Sequence, residues 1–142
     1  MRDERGQSLV EFALCALLLL MMLFVIIEFG RMFLLYTTVS NAARAGVRYA
    51  MVYGSDSSSP SGPANDDAAV IQVVKNFASV GGLNSSNLTV HVYYYSSGGV
   101  SPNCNNPGCW VKVTASYPYD PIVTYFPLSL KLSSASEGVI TF

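Results

Sequence analysis

The sequence predicts an α+β protein: a long N-terminal hydrophobic helix, then a small domain with a short helix and an antiparallel sheet. Three observations predict it. Phe12 to Ile27 is an uncharged apolar run of sixteen residues. No proline interrupts the chain before Pro60, so the helical pattern can continue well past that run. After Gly81 and Gly82 the apolar period changes from helical spacing to alternation, the signature of strands.

The first helix is expected from Gln7 to about Tyr53, roughly 70 Å at ~1.5 Å per residue. Its first half is apolar all round, as a membrane span must be. A span needs about 20 residues. Extending the run to Leu9, Val10 and Phe29 reaches that length and takes in Glu11 and Glu28 near its ends. A secretory signal peptide fits poorly, because no small-residue cleavage site follows the run. The second half changes character. Thr38, Ala42, Gly46 and Ala50 recur every four residues and form a stripe of small side chains, a surface another helix can approach closely. That seam could serve a neighbouring copy or the chain's own sheet. Glu28 and Arg31 stand three apart on one face, able to pair locally or to bridge to another subunit. Arg44 and Arg48 lie on a different face.

GSDSSSPSGP, residues 54–63, reads as a flexible linker. ANDDAAVIQVVKNFASVGG follows as an amphipathic helix, with Asn65 or Asp66 as its cap and Val70, Ile71, Val74, Phe77 and Ala78 on the apolar face. Alternation then marks LTVHVYYY, with Leu88, Val90, Val92 and Tyr94 on one face. It marks CWVKVTASY likewise, with Val111, Val113, Ala115 and Tyr117, and PLSLKLS, with Leu128, Leu130 and Leu132. These strands form an antiparallel sheet with one face free to pack on a helix.

Composition narrows the function classes. Half the chain is hydrophobic and 12% is charged, and a net charge of −1 implies no polyanion partner. No nucleic-acid binding is expected around Arg44 and Arg48, since no basic or aromatic cluster surrounds them. Three cysteines and one histidine are thin for metal chemistry or a catalytic triad, so neither a metal site, a cofactor nor an enzyme is expected. Cys104 and Cys109 enclose an Asn-Pro-Gly turn, and the spacing suits a small disulfide loop pinning a hairpin between Tyr95 and Trp110. That bond implies an oxidising compartment outside the cytoplasm. Cys15 reads as an apolar filler, and His91 as a structural or surface residue.

RGQSLVEFAL, then IIEFGR, then NAARAGVRYA together resemble the TadE-like family of pseudopilins, relatives of type IV pilins. The resemblance covers about the first third of the chain. It implies a leader over residues 1–6, a helix over 7–53 whose first half spans a membrane or fills a filament core, a linker over 54–63, and an extracytoplasmic pilin-like domain over 64–142. A prepilin peptidase would cut between Gly6 and Gln7. Glu11 would then be the fifth residue of the mature chain, where type IV pilins keep a glutamate. The new α-amine of Gln7, in the same chain or a neighbour, would neutralise it. The implied life cycle starts in the bacterial inner membrane, in contact with lipid and assembly machinery. It ends in an extracellular filament of identical or related pilin subunits used for surface attachment. Glu11, Glu28, Arg31, Ala42, Gly46 and Ala50 are the expected assembly residues. The alternative is a single-span membrane protein with an extracytoplasmic binding domain that never polymerises. The chain departs from the family where members often carry a proline in the apolar run; here it reads ALCALLLL.

Overall fold

A computed structural model describes residues 4–96, 104–122 and 130–141. It contains helix α1 over Glu4–Val52, helix α2 over Ala68–Val80, and strands β1 over Thr89–Tyr95, β2 over Trp110–Tyr119 and β3 over Leu130–Val139. This is the α+β architecture that the sequence predicts. The chain falls into two compact units, Met1–Phe33 and Leu34–Phe142.

In the second unit the sheet is antiparallel in the order β1-β2-β3. Tyr95 pairs with Trp110 and Val92 with Val113, as the expected hairpin requires. Alternation does what it promises in β1 and β2. Leu88, Val90, Val92, Tyr94, Val111, Val113 and Ala115 all turn into the core. They meet Val39, Ala42, Ala43, Val47 and Ala50 of α1 and Val70, Val74 and Ala78 of α2. The α2 residues stand at positions i, i+4 and i+8, the spacing of one helix face.

The third strand differs from expectation. It begins at Leu130 and runs through SSASEGV to Val139. Leu128 lies outside the described residues. No apolar alternation marks the strand beyond Leu132, because its inward positions there are small rather than greasy. They are Ser134, Ser136 and Gly138, opposite Ala115, Val113 and Val111. The reason is room. A Cβ on Gly138 would stand 2.5 Å from Met51 Sδ and 2.8 Å from Val47 Cγ1 of α1.

The Ser/Pro/Gly-rich stretch after α1 is tied down by hydrogen bonds. Ser61 is buried, and both its N–H and its hydroxyl donate to the Tyr53 carbonyl, at 2.6 and 2.7 Å. Thr141 does the same for Met51, through its N–H at 3.0 Å and its hydroxyl at 3.1 Å. Two carbonyls at the end of α1, which have no partner within the helix, are thus satisfied from distant segments. The cap of α2 is Asp67, whose carboxylate accepts from Ala69 and Val70 N–H, in place of Asn65 or Asp66.

Candidate functional site

Four consecutive residues on an α-helix step through a full turn at about 100° each. Leu17, Leu18, Leu19 and Leu20 are all exposed, at 57%, 67%, 63% and 52%. The first half of α1 therefore presents apolar side chains in every direction around its axis. Its most apolar 18-residue window has a mean hydropathy of 2.9, and α1 is long and apolar enough to cross a membrane. Cys15 is a free, exposed thiol rather than a buried filler.

Gly6, Gln7 and Glu11 lie within α1 and are exposed. Gln7 and Glu11 are four apart and so share a face. Glu28 and Arg31 are half-buried. Arg44 and Arg48 are exposed on the side of α1 opposite the core.

The small-residue stripe is an internal seam. Ala42 and Ala50 are fully buried. At Gly46 a Cβ would overlap the Val74 methyl of α2 and touch Val113 Cγ1 at 3.4 Å and Val70 Cγ1 at 3.5 Å. Of the two roles that the spacing leaves open, these positions serve packing against the chain's own α2 and sheet. Ala42, Gly46 and Ala50 are thus buried within the second unit.

Cys104 and Cys109 form the disulfide, with Cα atoms 5.8 Å apart. Within their loop Cys109 N–H donates to the Asn106 carbonyl at 3.0 Å, and Gly108 takes φ +91°. Pro107 followed by a positive-φ glycine makes a type II turn, which explains the Pro-Gly order. Gly108 N–H donates to the Ile140 carbonyl at 2.9 Å and Ile140 N–H to the Cys109 carbonyl at 2.8 Å, so the loop anchors the end of β3. Reducing the bond should lower stability by about 2 kcal/mol. Thermal melts with and without reductant, and of Cys104→Ser with Cys109→Ser, should agree in that drop.

On the outer face Lys112 and Glu137 are cross-strand partners with Nζ 2.7 Å from Oε1. The bond holds the Glu137 carboxyl below its ordinary value and raises Lys112. The Glu137 contribution is thus present above the ordinary carboxylate range and is lost as pH falls through its lowered value. The pair is solvated, so the effect is small. Glu137→Gln should shift the melting temperature slightly at neutral pH, and ~1 M salt should erase that difference.

Asn65 and Asp66 have a role that sequence reasoning misses. Asp66 adopts φ +58° and docks on β1. Its N–H donates to the Val92 carbonyl at 2.8 Å, and its Oδ1 accepts from Val92 N–H at 2.9 Å. Asn65 Oδ1 accepts from Tyr94 N–H at 3.3 Å. Asp66 also stands 3.3 Å from His91 Nδ1. No local motif signals this, since the partners are twenty-six and twenty-nine residues apart. Among the described residues no three His, Cys, Asp or Glu side chains converge as a metal site would require.

Compared with known proteins, residues 6–48 match the family model described as TadE-like protein. The match covers the segment whose motifs carry the resemblance. No curated protein and no solved structure matches the chain.

Proposed function

We propose that a chain whose residues 6–48 are TadE-like works as a pilin-like structural subunit rather than an enzyme. The observation that carries this reading is the bare apolar rod ahead of residue 34. A surface of consecutive exposed leucines is unfavourable in water by roughly 25 cal/mol per Å². It needs either lipid or other apolar helices. The precursor satisfies it with the inner membrane. The assembled form satisfies it with the same rods of other subunits, while the domain after it faces the outside and makes adhesive contacts.

In this reading a prepilin peptidase cuts after Gly6, and the amine of Gln7 offsets the cost of carrying Glu11 into apolar surroundings. Glu28 and Arg31 add polar contacts at the far end of the rod. Neither a cofactor nor a nucleic acid enters the scheme. The disulfide fits an oxidising destination. The non-polymerising membrane anchor is the second reading. It is favoured by one observation: the small-residue seam is used up inside the domain.

The deciding measurement is the N-terminus of the chain in sheared cell-surface material. A chain beginning at Gln7 in that fraction is expected. A chain confined to membranes would leave only the anchor. Glu11→Ala should be cleaved normally yet assemble poorly, and wild-type fibre yield from that variant would exclude the proposed pairing.

A further inference from the structure

We infer that Asn65 and Asp66 form a latch that closes the β1 edge of the sheet against strand pairing with a second copy of this chain. The inference does not depend on the filament reading.

A strand at a sheet edge presents unpaired N–H and C=O groups, a template for another strand. With the order β1-β2-β3, both β1 and β3 are edges among the described residues. They are defended differently. Strand β3 carries Lys131 and Glu137, charges of the kind that discourage edge pairing. Strand β1 reads TVHVYYY, with no lysine, carboxylate or proline and a high content of strand-forming residues. Its sequence does nothing to prevent addition.

The latch does so instead. Asp66 imitates a strand residue by both donating to and accepting from Val92, and Asn65 occupies the next outward N–H at Tyr94. These are the groups that an incoming strand would use. The occupant thereby excluded is a second copy of this chain. Two β1 edges laid antiparallel about Val92 satisfy each other's donors and acceptors. The side chains of Thr89, Tyr93 and Tyr95 bring no like charges together.

The left-handed backbone at Asp66 supplies a clean variant. Glycine tolerates that φ and keeps the backbone N–H, but lacks the carboxylate. Asparagine tolerates it too and retains an acceptor. The full chain is studied in detergent micelles by amide hydrogen exchange. In the wild type the Val92 and Tyr94 amides should be protected. In Asn65→Ala with Asp66→Gly they should exchange about tenfold faster at low protein concentration. Asp66→Asn should stay near wild type, and the helical amide of Val74 should be unchanged in all. Rapid exchange of Val92 in the wild type would overturn the latch.

The occupant is tested by cross-linking in a Cys15→Ser background. Pairing about Val92 places residue 91 of one copy opposite residue 93 of the other. His91→Cys chains mixed with Tyr93→Cys chains should cross-link, increasingly with concentration, only when the latch variants are present. An open edge that gives no such cross-link at any concentration would overturn the assignment of a second copy.

Discussion

Gly46→Leu should leave the domain unable to reach its native packing. Even a single methyl at this position overlaps the Val74 side chain, and Val113 and Val70 lie just behind it. Two opposing effects decide the magnitude. Replacing a helical glycine by alanine gains about 1 kcal/mol from helix propensity. Forcing extra atoms into a filled core costs about 1–3 kcal/mol and sometimes more. Gly46→Ala should therefore come out neutral to mildly destabilising, if Val74 can shift. Leucine adds three further carbons with nowhere to go and gains no more propensity than alanine. Its loss should exceed 3 kcal/mol, more than 12 °C in melting temperature for a unit of this size. Gly30→Ala is the control. That glycine lies in the same helix, and a Cβ there meets nothing within 4 Å. An unchanged melt for Gly46→Leu would mean that α1 and α2 do not pack as described.

Raising the pH from 10 to 12 should destabilise the domain, and Tyr94→Phe should reduce that sensitivity. Tyr94 is 1% exposed, and its hydroxyl donates to Ser61 Oγ at 3.4 Å. Burial, which disfavours the phenolate, pushes its pKa up to about 12, with the nearby Asp67 charge adding to it. The unfolded chain releases that proton near the ordinary value of 10. Between the two values the unfolded state holds fewer protons than the folded one, so stability falls as pH rises. The Tyr94 contribution is complete below pH ~10 and on the order of 2 kcal/mol is lost by pH ~12. Phenylalanine keeps the ring and has no proton to lose. Its melting curve should therefore lack the Tyr94 part of the alkaline decline, at the expense of one weak hydrogen bond at neutral pH. Tyr94→Ala goes further. It removes the ring against which Gly62 rests, and should cost about 3–5 kcal/mol. A Phe variant with an undiminished alkaline decline would place the responsible group elsewhere.

These effects fall on the part of the chain whose helix and strand signals are strongest. The helix face of Val70, Val74 and Ala78, and the alternation in β1 and β2, are legible because each residue's neighbours in sequence reveal its direction. Strand β3 was not legible beyond Leu132. Its inward serines and glycine make sense only once Val47 and Met51 of α1 lie close by. The same limit explains the linker, whose composition says flexible while Ser61 is held by Tyr53 and contacted by Asn105 Nδ2 at 3.1 Å.

By itself the sequence determined the long helix, the apolar rod, the disulfide loop and the change from helix to sheet. All of these follow from spacing and hydrophobicity along neighbouring residues. It also carried the TadE-like segment, as motifs within one helix. Tertiary structure alone decided that the Ala42, Gly46 and Ala50 seam faces inward, that Thr141 and Ser61 cap α1, and that Asp66 sits on the β1 edge. Each depends on which distant backbone comes within hydrogen-bonding or van der Waals reach. That information belongs to the packed fold and has no local period from which to be read.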